Sequence, residues 1–133
     1  MAKLIKNIDI YTGAGIVKNG FLRFSNTIEE LGELKDFVAK DTDQLVTAPA
    51  GAILVPGFID VHTHGGYGFD TMDGNADALN AFSQKLRTEG ITSFFPTTIT
   101  QTKDSIAKAL ESVVLAAKKQ FNDPRHSFGR PLH

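Results

Sequence analysis

VPGFIDVHTHGGYGFDTMDG, running from Val55 to Gly74, is the stretch on which the reading of this chain turns. An apolar run ends in two histidines one residue apart, and a glycine-rich segment follows. On a strand, alternate side chains face the same way. Asp60, His62 and His64 therefore share one face, and Ile59, Val61 and Thr63 the other. Two imidazoles two residues apart can both reach one cation, and neutral histidine nitrogens are good ligands for zinc and similar divalent metals. Asp60 either ligates as well or orients a histidine from behind. The opposing reading is a pair of solvated or hydrogen-bonded histidines, because zinc takes three or four ligands and this motif supplies two. Context favours the metal: the pair closes an apolar strand, follows Pro56-Gly57, and opens a run of alternating strands and helices.

That run continues downstream. NADALNAFSQKLRTEG reads as a helix, with Leu79, Phe82 and Leu86 at helical spacing, Asp73 or Asn75 as its cap, and Gly90 as its stop. ITSFFPTTIT is the next strand. KDSIAKALESVVLAAKKQ is the clearest helix, with Ile106, Leu110, Val113, Val114 and Ala117 on one face. The order β-α-β-α is that of a parallel α/β sheet or barrel, and in a barrel the strand ends are where sites are built. GGYGFD lacks the spacing of either phosphate-binding glycine motif, so a flexible loop allowing close backbone approach to a ligand or metal is expected. Thr97, Thr98 and Thr100 reflect β-propensity or line the barrel mouth. Phe94 and Phe95 read as core, and Lys118-Lys119 as a solvated helix end. The segment FNDPRHSFGRPLH is polar and broken by prolines, so a ligand role for His126 or His133 is disfavoured.

Upstream the pattern is different. KLIKNIDIYT alternates as a strand, GIVKNGFLRF carries the hairpin signal Asn19-Gly20, and NTIEELGELKDF has the acidic, leucine-containing pattern of a short helix, although Gly32 in its middle favours strand–turn–strand. The expectation is a small meandering β unit over residues 1–54 with little core of its own, followed by an α/β unit over 55–133.

Composition narrows the classes. With 133 residues, 41% hydrophobic and 22% charged, the chain is ordinary globular material. A net charge of -1 gives no reason to expect nucleic acid or an anionic membrane as partner. Cysteine is absent, so a metal must be held by histidine and carboxylate. No apolar h-region follows the N-terminal lysines and no stretch reaches membrane-span length, so a cytoplasmic protein is expected.

The residues Pro56–Asp73 resemble the amidohydrolase superfamily, whose first barrel strand ends in His-x-His. The longer string PGFIDVHTHGGYGFDTMDG, with GITSFFPTTIT one helix later, is similar to the N-acetylglucosamine-6-phosphate deacetylase family. The resemblance covers nearly all of residues 3–120 and implies a fold: part of a small β-sandwich, then the first βα units of a (β/α)8 TIM-type barrel, incomplete in this chain. It implies a reaction, metal-dependent hydrolysis of the acetamide of N-acetylglucosamine 6-phosphate to glucosamine 6-phosphate and acetate. His62 and His64 match the family's strand-one metal pair, with one or two divalent ions (zinc, iron or similar) per complete site. The family's further ligands and catalytic Asp lie in later segments that are absent here, so no catalytic residue is assigned. A phosphosugar substrate and a homodimer of the complete protein are also implied. A (β/α)8 barrel takes roughly 250 residues, so an N-terminal portion, inactive alone, is expected. The rival readings are a cyclic-amide hydrolase of dihydroorotase or hydantoinase type, and a non-catalytic truncated product or binding module.

Overall fold

The computed structural model describes residues 1–122. It divides into two compact units, Met1–Pro56 and a second from Gly57 onward.

The first unit is built on strands β1 (Ala2–Thr12), β2 (Gly15–Phe24) and β3 (Ile28–Glu33), joined as an antiparallel meander. The short strands β4 (Asp43–Leu45) and β5 (Ile53–Leu54) return alongside β1 in parallel. Ile8, Ile10 and Leu22 form the buried centre, with Ile5, Val17, Phe24, Ala48, Ala52 and Leu54 packed around them. Arg23 is wholly buried. Its Nε and Nη2 donate to the two Asp43 carboxylate oxygens at 2.7 and 2.9 Å, Nη2 also donates to the Val38 carbonyl at 2.8 Å, and Nη1 donates to Glu30. A bidentate carboxylate is the partner that a buried guanidinium needs.

Two sequence expectations for this unit are corrected. Asn19-Gly20 makes no hairpin. β2 runs straight through it, and the ladder advances from Val17 to Gly20 while β1 advances from Ile10 to Ile8. Asn19, with φ 45°, is thus a bulge residue whose N–H is held by Asp9 at 2.9 Å. Nor does Gly32 turn the chain. It sits within β3, where a Cβ would stand 3.1 Å from the Phe21 ring, so the glycine makes room for that ring. The chain turns one residue after the strand, in a single 3-10 turn over Leu34–Asp36.

The second unit follows the expected order. Strand β6 (Phe58–Thr63) is followed by a two-residue hairpin, β7 (Gly65–Gly66) and β8 (Phe69–Asp70). Helix α1 (Ala76–Leu86) comes next, then β9 (Ile91–Pro96) and helix α2 (Lys103–Asn122). β9 lies parallel to β6, as a strand–helix–strand connection dictates. Asn75, and not Asp73, caps α1: its Oδ1 accepts from the N–H groups of Asp77 and Ala78 at 3.0 and 3.2 Å. Gly90, at φ 79°, ends the turn that follows α1.

The core of this unit is Leu79, Phe82 and Leu86 of α1, with Phe82 meeting Phe94 edge-on at 5.6 Å. Phe95 is no core residue. Its neighbour on the strand takes the covered side, and Phe95 is left 58% exposed. The inward face of α2 also differs from the expected one. Ala109, Ser112 and Ala116 are buried, whereas Leu110 and Val114 are about half exposed. Small side chains let α2 lie close to α1, which leaves the larger apolar residues on its outer side. No helix among the described residues is long and apolar enough to cross a membrane.

Candidate metal centre

His62 and His64 converge. Their Nε2 atoms stand 3.3 Å apart, with ring centroids at 4.9 Å and planes at 86°. Strict alternation alone does not produce this. Between Asp60 and Thr63 the β6 ladder advances three residues, while β9 advances two, from Phe94 to Pro96. Such an irregularity re-aims side chains at a strand end. Asp60 braces it from below: its Oδ1 accepts the backbone N–H of His62 at 3.1 Å. That carboxylate thus contacts the main chain of His62, where the sequence suggested a ligand or a ring partner.

His64 is the more tightly held of the pair. Its Nδ1 lies 2.9 Å from the carbonyl oxygen of Thr97. A carbonyl can only accept, so Nδ1 carries the proton and the lone pair of a neutral ring sits on Nε2. His62 Nε2–H then donates to it. The backbone carbonyl of His64 accepts from Thr71 N–H at 2.7 Å, and the carbonyl of Thr63 accepts from Thr97 N–H at 2.7 Å.

The segment after His64, read from sequence as a flexible loop, is a tight hairpin. Its central residues Tyr67 and Gly68 both have positive φ, 56° and 83°, as a type I′ connection requires. Gly65 has φ 148°, and a Cβ there would lie 2.1 Å from the Phe69 carbonyl oxygen. Then comes a one-turn 3-10 helix, Thr71–Asp73, with a reciprocal capping box. Asp70 accepts from Met72 N–H at 2.7 Å, and Asp73 accepts from Asp70 N–H at 3.0 Å.

The pair fits a divalent metal on two observations. Zinc–nitrogen bonds of about 2.0–2.1 Å at a tetrahedral angle put two ligand atoms roughly 3.4 Å apart, and the observed separation is 3.3 Å. The Nδ1–H to carbonyl bond is also the usual way in which a ligating histidine is oriented from behind. Two ligands are nonetheless all that the geometry brings together: among the described residues, no group of three His, Cys, Asp or Glu side chains could hold an ion. His126 and His133 lie outside the described residues. Thr97 contributes through its main chain, while its hydroxyl donates to the Phe95 carbonyl at 3.0 Å. Sequence reasoning singled out Thr97 for its hydroxyl and missed this role, since a carbonyl acceptor leaves no mark on residue type. Of the lysine pair, Lys119 is ion-paired to Asp77 at 2.6 Å.

The family model described as "Amidohydrolase family" matches residues 53–131. The chain belongs to the amidohydrolase family. Within the amidohydrolases, N-acetylglucosamine-6-phosphate deacetylase of Bacillus subtilis (strain 168) is 41% identical over 110 residues, which span 80% of this chain and 27% of that protein. The protein of the same name from Vibrio furnissii is 38% identical over 89 residues, 65% of this chain and 22% of its own length. The crystal structure of N-acetylglucosamine-6-phosphate deacetylase from Pasteurella multocida superposes with a TM-score of 0.78 at 21% identity, covering 92% of this chain and 32% of that one. That likeness is one of fold. This amidohydrolase chain spans about a quarter of the length of the curated relatives it matches.

Proposed function

We propose that this chain carries the strand-one half of the metal site of an N-acetylglucosamine-6-phosphate deacetylase. In this reading the enzyme hydrolyses the acetamide of a phosphorylated amino sugar. Residues 1–54 form part of a small β-sandwich, and residues 55–133 contribute the first βα units of a (β/α)8 barrel whose mouth holds the site. The complete enzyme acts on a phosphosugar and forms a homodimer.

The observation that carries this reading is the pair of converging Nε2 atoms on His62 and His64, one of them fixed as an acceptor by Thr97. The 41% identity with the Bacillus subtilis enzyme across 110 residues supports the substrate. The uncovered apolar flank of the β6–β9 pair, where Ile59, Val61 and Phe95 are more than half exposed, supports a larger barrel. A bound zinc, iron or similar ion would polarise the amide carbonyl and supply a hydroxide at neutral pH. The residues of this chain do the rest of what is proposed. His64 presents its Nε2 lone pair, His62 would present its own once the Nε2 proton moves to Nδ1, Thr97 fixes the ring of His64, and Asp60 fixes the main chain beneath His62.

A chimera tests this. The 110 aligned residues replace their counterparts in the Bacillus subtilis enzyme, and acetate release from N-acetylglucosamine 6-phosphate is measured. Turnover that vanishes with chelator and with His62→Ala is the expected result. A folded, metal-loaded chimera without turnover on that substrate refutes the assignment.

A further inference from the structure

The hairpin after the histidines has no chemistry of its own, yet it is held at its tip and at its end. Its tip carries Tyr67 in the left-handed region, which a bulky residue enters only when its surroundings hold it there. The Tyr67 hydroxyl donates to Glu89, and its ring lies 6.5 Å from that of Phe82. The hairpin ends in Thr71, which is 1% exposed and opens the capped 3-10 turn. From there a single bond runs back to the site, Thr71 N–H to the His64 carbonyl at 2.7 Å.

We propose that Thr71 is a positioning residue for His64, with the Gly65–Asp73 hairpin and turn as the rigid brace behind it. The proposal rests on the reading of His64 as a metal ligand. Ligating side chains need to be held within about 0.5 Å and 10–20° of their working geometry. Thr97 sets the ring of His64 from one side, but that bond reaches the ring through rotatable torsions. A ring held at Nδ1 alone still moves if its own backbone moves. Thr71 closes that freedom by fixing the peptide that follows His64. The hydroxyl is not needed for this: Thr71 Oγ1 is buried and has no hydrogen-bond partner among the described residues.

That division of labour makes the test specific. Thr71→Val keeps the N–H and removes the unpartnered hydroxyl. Thr71→Pro removes the N–H. The first position of a helical turn accepts the backbone angles of proline, but the ring Cδ takes the place of the hydrogen in the 2.7 Å bond to the His64 carbonyl oxygen, so that peptide is displaced as well as released. Asp70, at φ −134° and ψ 140°, already has the extended conformation required before proline.

The experiment uses the 133-residue chain. Nitrogen-15 NMR reads the tautomer of the His64 ring without metal, and Co2+ titration reads affinity by absorption. Thr71→Val is expected to match the parent in both. Thr71→Pro is expected to keep a dispersed amide spectrum, lose the Nδ1–H preference of His64, and weaken Co2+ binding by about 10-fold or more, the scale of outer-shell substitutions. An unchanged tautomer in Thr71→Pro overturns the proposal. Should that variant lose its dispersed spectrum, Asp73→Ala, which opens the capping box but keeps the Thr71 N–H, decides in its place: a shifted tautomer supports the brace, an unshifted one ends it. A tautomer that shifts in Thr71→Pro, beside a parent chain with no Co2+ affinity, removes the metal reading and leaves the brace standing.

Discussion

The Nε2 atoms of His62 and His64 face one another across 3.3 Å, and the second ring is fixed from behind by the carbonyl of Thr97, 33 residues later in the chain. Both atoms can serve one cation only if both rings are present. His62→Ala and His64→Ala are each expected to weaken Co2+ or Zn2+ binding by at least ~10-fold, since even changes behind a ligand cost about 10–100-fold. Isothermal titration with each variant checks this. Affinity that survives both substitutions would place the ion elsewhere.

Gly65 and Gly68 both have positive φ, but they are not equivalent. At Gly68 a Cβ meets nothing within 4 Å, so Gly68→Ala should cost only the left-handed strain of about 1–2 kcal/mol. At Gly65 the Cβ would collide with the Phe69 carbonyl at 2.1 Å as well. Gly65→Ala should therefore cost more, on the order of 3 kcal/mol, and disturb His64 next door. Urea melts of the two variants rank them. Equal losses would mean that the hairpin is looser than its geometry implies.

Acid should unfasten the first unit through Asp43. Hydrogen bonding from buried Arg23 foremost, aided by the Lys40 N–H, lowers its carboxyl from 3.8 to about 2. A carboxylate whose pKa falls on folding stabilises the fold above its unfolded value, and that contribution is lost as pH drops through the folded value. The thermal midpoint of this unit should fall between pH 4 and pH 2. Asp43→Asn should be less stable at pH 7, because it leaves a buried guanidinium short of its counter-charge. Its midpoint should also be flatter across that window. A parallel acid limb in the variant would assign the loss to other groups.

Phe82 is 2% exposed and stands between Tyr67 of the hairpin and Phe94 of β9. Phe82→Ala should cost about 3–5 kcal/mol, a large share of the roughly 5–15 kcal/mol that holds a domain together. Leu110→Ala, on the open side of α2 at 53% exposure, should stay within about 0.5 kcal/mol. Chemical denaturation of the two variants compares a packed position with an open one.

What the sequence by itself determined is the β-α-β-α order of the second unit and the residue types at the site. Helical spacing of Leu79, Phe82 and Leu86, a cap at Asp73 or Asn75 and the Gly90 stop defined α1, because caps and periodicity are local signals, and the structure chose Asn75 as the cap. The His-x-His at a strand end identified both candidate ligands for the same reason. Where local signals compete with packing, the sequence was silent or misleading. Asn19-Gly20 carries a turn signature, yet pairing along β1 absorbs it as a bulge. Leu110 and Val114 have helical spacing, yet close approach to α1 turns Ala109, Ser112 and Ala116 inward instead. Only the tertiary structure brought the Thr97 carbonyl to His64 and the Thr71 N–H to the His64 carbonyl. Both are main-chain groups that every non-proline residue carries, so no residue type marks them, and only the fold decides which of them meet.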